Sequence, residues 1–395
     1  MTKPIEFTDL EQFIVSSPKW KETLSAPPFD IKIKQAYPEL YSDMFMFSYP
    51  IVANFNLSIV RACRGCVYRV IEDGAKRKAI PICLPYTKFT NYGERELDDA
   101  RHDWESNIAT EKLDGSMVKL VKYESHNLWF LNNSYNLSCI DPQQYDTDGT
   151  LTFQILLDKA LEQNKPLVDS FLSNLPEHHT FMFELVSPNH RIVCKYPETT
   201  LYFHGCRNNI TCVELDAESA KTLFNVPFPT PKRVTLTTYS DVMSELAKIN
   251  GHNAEGFVII DKNFHRMKIK CEDYLKRHSI ITRLTTDKAK LAFIFSGIAD
   301  DYTEAIPLIQ SMKDIITNGY SKFSSLSSEL KEMNSTKGES ETRKYILTHS
   351  KQIASIYFLA LKTPDEQLKA VYDDKIKDYR FYSIIEALLN NETSK

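Results

Sequence analysis

Up to about residue 280, apolar positions come in short or alternating runs bounded by turn residues: CVYRV (66–70), SMVKLVKY (116–123), LWFL (128–131) and FVIID (257–261). Period-two patterning of this length predicts strands. Beyond that point the apolar residues take helical spacing, in KAKLAFIFSGI (288–298), YTEAIPLIQSMKDII (302–316) and ETRKYILTHSKQIASIYFLAL (341–361), with STKGES (335–340) as a break before the last. Helices also interleave the first part. Thr8 with Glu11 reads as a capping box opening a helix over 9–24, and 151–175 reads as helical with a break at Pro166. The pattern predicts an α+β domain over 1–282, antiparallel sheets with flanking helices, followed by an all-helical domain over 283–395.

Composition agrees with two domains, since 395 residues exceed what one hydrophobic core usually supports. With 48 Lys and Arg against 52 Asp and Glu the chain is not polybasic, which leaves open a local basic groove. From Arg283 onward, 16 basic residues face 16 acidic ones, so any anion contact there must come from clustering on one face. No run of 18 apolar residues exists, and MTKPIEFTDLEQF has neither a basic start nor an apolar core, so a soluble cytoplasmic protein with no membrane partner is expected. The eight cysteines are irregularly spaced and read as buried thiols; Cys63-x-x-Cys66 lacks the second pair of a zinc ribbon. His178 and His179 follow a Pro-Glu turn, and His190 and His204 sit beside strand patterns with no i, i+4 partner; all four read as structural, His190 at most as a neighbour of the site.

The stretch that points to chemistry is Glu111-Lys112-Leu113-Asp114-Gly115-Ser116. Lys112 suits a nucleophile, Gly115 would let backbone approach a nucleotide, and Asp114 could accept from a ribose hydroxyl. The simpler alternative is a hairpin with Asp-Gly at its tip. Further on come Phe183-Glu184-Leu185, Glu255-Gly256-Phe257-Val258 and Met267-Lys268-Ile269-Lys270. Within a strand, Lys268 and Lys270 share a face, so both ammoniums can converge on one polyphosphate and favour a neutral Lys112 by like-charge repulsion. Glu255 is placed to hold the divalent cation that ATP chemistry uses. Glu184, between two apolar neighbours, should point away from their core face.

This ordered set, EKLDGS, FELVSPNHRIV (183–193), EGFV and MKIKCEDYL (267–275), resembles the covalent nucleotidyltransferases, and more narrowly the RNA ligase 1 family of large tailed phages, the tRNA-repair ligases. FSY (47–49), CRG (63–65), KFTNYGE (88–94) and SGIADD (296–301) are similar to further elements of that family, so the likeness covers about residues 45–305. The resemblance implies a lysyl-AMP formed from ATP on Lys112, passed to an RNA 5′-phosphate and displaced by a 3′-hydroxyl. It implies that Tyr49, Arg64, Lys88, Glu111, Asp114, Gly115, Glu184, Lys268 and Lys270 bind ATP, and that Glu255 and Asp300 hold Mg2+ or Mn2+. Tyr274 matches a family tyrosine just after the last motif. The implied partner is RNA with 5′-phosphate and 3′-hydroxyl ends, tRNA among the candidates, prepared by an end-healing kinase-phosphatase. A monomer in the cytoplasm, that of a host cell if the gene is a phage's, completes the expectation.

DNA ligases and capping guanylyltransferases match less well: they carry an Arg where Ser116 and Met117 stand, and a β-barrel where this chain has helices. A non-catalytic RNA-binding or virion assembly protein is the remaining alternative. Two departures from the family support it: Thr90 replaces an aromatic, leaving Tyr202 or Phe203 to pack the adenine, and Asn133 stands where a basic residue is expected.

Overall fold

The computed structural model describes residues 3–50, 53–74, 76–131, 152–190, 192–251, 253–284, 286–296, 307–349 and 351–390. The chain divides into two compact units, Met1–Arg277 and His278–Lys395.

The first unit is built on three antiparallel sheets. β1 (Lys32–Gln35), β2 (Met44–Ser48), β3 (Arg64–Asp73) and β4 (Lys76–Cys83) pair in sequence order. β5 (Ile108–Glu111) belongs to a second sheet, while β6 (Ser116–Tyr123), β7 (His126–Leu131), β8 (His179–Val186), β9 (Thr200–Asn208) and β10 (Glu214–Asp216) form a third in the order β10-β9-β8-β6-β7. β11 (Arg233–Val234), β12 (Gly256–Ile260) and β13 (Arg266–Lys270) complete the second sheet as β11-β5-β12-β13. Residues 112–115 therefore cross from one sheet to another, which excludes the hairpin alternative for Asp114-Gly115.

The alternation read from the sequence is what closes the core. Phe181, Phe183, Leu185, Leu201 and Phe203 from β8 and β9 pack with Leu156, Leu157, Val168 and Phe171 from helices Phe153–Leu161 and Lys165–Ser173. Val121, Leu128 and Phe130 instead meet Met44, Met46, Val67 and Ile82, joining the first and third sheets. β6 is buried on both faces, so Lys119 is enclosed there, its Nζ donating to Gly65 O at 2.8 Å, and burial pushes its ammonium down to about 8.

One local reading is corrected. The first helix is Ile5–Ser16, not 9–24: the Thr8 hydroxyl donates back to Pro4 O, and the chain pauses around Pro18 before a second helix, Trp20–Leu24, because proline cannot donate to a preceding turn. The break read at Pro166 is present: the helices Phe153–Leu161 and Lys165–Ser173 part over 162–164, and Pro166 sits at the start of the second, where its missing N–H costs nothing.

The second unit is helical: Asp287–Ile294, Pro307–Lys337, Glu339–Leu347, Lys351–Lys362, Leu368–Lys375 and Tyr379–Asn390 enclose Leu291, Phe323, Tyr357, Tyr372, Tyr382 and Ile385. The break expected over 335–340 narrows to Gly338 at φ 84°, and the helix expected over 341–361 is two, parted after Leu347. Among the described residues no helix is long and apolar enough to cross a membrane. The seven described cysteines are free and buried.

Candidate active site

Lys112 follows the last residue of β5, with its N–H donating to Gly256 O at 2.8 Å, so β12 fixes the backbone from which its side chain projects. Glu255, just before β12, is 2% exposed and uses both oxygens: Oε2 accepts from Lys112 Nζ at 2.5 Å and Oε1 from Lys270 Nζ at 2.7 Å. Gly256 is obligatory here, at φ 145° and with Ile269 O only 2.2 Å from where a Cβ would stand. A buried carboxylate between two ammoniums is electrostatically satisfied, whereas alone it would be costly.

Lys112 opens into a cavity of about 460 Å³. The second sheet contributes Thr110, Val258, Ile260 and Lys268 to its wall, and the third contributes Met117, Glu184 and His204. Arg64, Glu111 and Gly115, also expected at the site, line it too. Glu184 does face away from the core that holds Phe183 and Leu185, and its Oε2 accepts from His204 Nε2 at 3.2 Å. The Phe89 ring lies between two cations, 4.8 Å from the Arg64 guanidinium carbon and 5.1 Å from Lys268 Nζ. Burial, and then the charges of Lys88, Arg64, Lys112 and Lys270, push the Lys268 ammonium down to about 7. Burial likewise lowers Arg64, whose Nη1 has no hydrogen-bond partner among the described residues. A buried donor with nothing to donate to, beside a destabilised ammonium, is a site prepared for an anion.

The rest of the expected set lies around this cavity rather than in its wall. Lys88 Nζ stands 4.9 Å from the Phe55 ring, and Tyr49 packs edge-on against the same ring at 5.0 Å. Lys268 and Lys270 share a strand face, as read from the sequence, but only Lys268 reaches the cavity.

Asp114 is not free to meet a ribose. It is 4% exposed; Oδ2 accepts from the N–H groups of Val193 at 2.7 Å and Cys194 at 2.8 Å, and Oδ1 accepts from the Tyr274 hydroxyl at 2.8 Å. It ties two distant segments, 193–194 and the one carrying Tyr274, to the Lys112 turn. Gly115 is needed for packing as much as for a ligand, because a Cβ there would lie 2.5 Å from Leu185 O. Phe203 is fully buried and cannot stack on a base, while Tyr202 pairs with Glu184 across β8 and β9 and shares its sheet face.

Asp300 and Asn133 lie outside the described residues. The described residues contain no group of three His, Cys, Asp or Glu able to hold a metal, and Glu255, the other expected ligand, is occupied by lysines. The described residues fit a nucleotide: the cavity is of ligand size and offers an unpaired Arg64 donor. Sequence reasoning missed His204, Phe89 and Arg266 in this wall. The alternation of β9, which puts His204 on the face of Tyr202, was a usable signal for the first.

The family model described as RNA ligase, of the T4 type 1 kind, matches residues 62–274. A protein of Autographa californica nuclear polyhedrosis virus described as a bifunctional polynucleotide kinase/RNA ligase is 28% identical over 302 residues, 72% of this chain and 40% of the viral one. The chain thus spans less than half of that relative. An RNA ligase of Rhodothermus phage RM378 is 23% identical over 330 residues, 70% of this chain and 74% of the phage protein. A lysine-to-alanine variant of Naegleria gruberi RNA ligase, solved with ATP and Mn, is 11% identical and superposes at a TM-score of 0.36 over 63% of this chain and 97% of that one.

Proposed function

The chain belongs to the RNA ligase family, and from that membership we propose that it joins RNA 5′-phosphate and 3′-hydroxyl ends with ATP through an adenylate on Lys112. The observation that carries this reading is the position of Lys112, held by Glu255 in the wall of a cavity that also contains two desolvated cations, Lys268 and an Arg64 whose Nη1 has no hydrogen-bond partner among the described residues.

The residues act as follows. Arg64 and Lys268 bind and orient the phosphates of ATP, and their desolvation makes each interaction stronger than in water. Glu255 Oε2 takes a proton from Lys112 Nζ, leaving an amine whose electron pair attacks the α-phosphorus. The N–P bond forms, the P–O bond to the β-phosphate breaks, and pyrophosphate leaves with that electron pair. An RNA 5′-phosphate oxygen then displaces Nζ in line, and a 3′-hydroxyl displaces AMP from the resulting RNA adenylate. Each step is chiefly a matter of alignment and charge neutralisation. Bound Mg2+ or Mn2+ would supply further charge neutralisation for ATP, and Glu255 would hold it only by releasing Lys112 or Lys270.

Broken tRNA is the substrate class we propose, acted on by a monomer in the cytoplasm. A kinase-phosphatase preparing the ends is part of the proposal, supported on the kinase side by the polynucleotide kinase named in the nuclear polyhedrosis virus relative. Offering ATP or GTP with 5′-phosphate RNA, nicked duplex DNA and a cleaved tRNA side by side tests the reading. Sealing of the RNAs with ATP supports it; guanylylation, or sealing of DNA alone, overturns it.

A further inference from the structure

The strand β9 does not alternate evenly. Phe203 and Cys206 both enter the core although they stand three positions apart, and in the pairing with β8 Phe183 opposes Phe203 while Met182 opposes Gly205. His204 is therefore the extra residue of a β-bulge, with no ladder partner opposite it. Its neighbours fix the bulge. Gly205 takes φ 131°, which favours glycine, and a Cβ on it would lie 2.6 Å from Leu215 O. The Tyr86 hydroxyl donates to His204 O at 3.1 Å. Bulges beside a ligand cavity re-aim a side chain, and the one aimed here is the imidazole: His204 lines the nucleotide cavity with Nε2 3.2 Å from Glu184 Oε2. An ionised carboxylate only accepts, so the ring carries a proton on Nε2 in this contact. The other oxygen, Glu184 Oε1, has no hydrogen-bond partner among the described residues.

We infer that His204 is a positioning residue: by holding Oε2 it fixes the plane of the Glu184 carboxylate, so that Oε1 accepts from a hydroxyl of the nucleotide's sugar. The inference rests on the proposed use of this cavity for ATP. Two neighbours decide which part of the nucleotide Glu184 meets. Glu184 is near enough to Arg64 to offset part of the lowering that burial imposes on that guanidinium, and Arg64 Nη1 is the unpartnered donor assigned above to the phosphates. The sugar is the part of a nucleotide joined directly to its phosphates. Asp114, the carboxylate expected from sequence at a ribose hydroxyl, is occupied by Val193, Cys194 and Tyr274. Glu184 is left to make that contact, and an unrestrained carboxylate would make it poorly, because each rotation about its side chain carries Oε1 away from the sugar.

The test is equilibrium binding of AMP and of 2′,3′-dideoxy-AMP to the full-length protein; neither carries a pyrophosphate to expel, so no adduct forms. Wild type should bind AMP about tenfold more tightly, as expected for a hydrogen bond to a charged group. His204→Leu should lower that ratio to near one by weakening AMP alone, and His204→Gln, whose amide donates from about the position of Nε2, should restore most of it. Damage to the fold or to the cavity's shape would weaken both nucleotides together and leave the ratio as it was. That result in His204→Leu, a ratio near one in wild type, or no restoration by glutamine would overturn the assignment. Adduct formation from ATP is scored separately. A wild type that shows the tenfold ratio and never adenylylates would defeat the ligase reading and leave the positioning role standing; one that adenylylates without any preference for the sugar hydroxyls would defeat the positioning role alone.

Discussion

Lys112 Nζ lies 2.5 Å from Glu255 Oε2, and the other oxygen of the same carboxylate holds Lys270. The proposed nucleophile and proton acceptor thus sit at the ends of two paired strands, Lys112 just after β5 and Glu255 just before β12. Glu255→Gln keeps the shape but removes the charge that aligns Lys112 and accepts its proton. Self-adenylylation should slow by about a hundredfold, in the range of a lost general base. Rapid-quench measurement of adduct formation at saturating ATP checks this; a change confined to half-saturation would mean that Glu255 only binds ATP.

Lys268 should make both stability and nucleotide binding depend on pH. Its folded value near 7 lies below its ordinary one, so between pH 7 and 10.5 the unfolded chain binds the extra proton and stability rises with pH. The penalty of a charged Lys268 is present in full below pH 7 and is relieved above it. Lys268→Met should raise the Tm more at pH 6 than at pH 10, and should remove most of the further rise that ATP gives wild type at pH 6. Thermal melts at the two pH values, with and without ATP, decide it.

Asp114 acts on the fold rather than on the sugar. Asp114→Asn exchanges an ionised acceptor for an amide that cannot accept on both sides, and should cost about 2 kcal/mol of stability. Tyr274→Phe, which removes one of those bonds, should cost about 1 kcal/mol. The ratio of adenylylation rates with ATP and 2′-deoxy-ATP should be the same in wild type and Asp114→Asn; a changed ratio would return Asp114 to the ribose.

The elements that the sequence made legible are those whose pattern is local. SMVKLVKY is β6 to the residue, Glu184 turns from the core because Phe183 and Leu185 enter it, and Lys268 and Lys270 share a face because strands alternate. What could not be read was pairing at long range. The bonds of Asp114 come from 79, 80 and 160 residues away, and Lys112 meets Glu255 across 143. Nothing in EKLDGS shows that it crosses between sheets. The same distance explains why Glu255 reads as a metal ligand in sequence and is found between two lysines in the structure: only the fold brings Lys112 and Lys270 to it.

The central claim is that Lys112 becomes covalently adenylylated. Protein incubated with α-labelled ATP and Mg2+, then denatured and digested, should carry the label on the peptide containing Lys112, as an acid-labile and alkali-stable phosphoramidate, and Lys112→Ala should carry none. Label retained by Lys112→Ala, or found on another residue of the wild type, would contradict the account.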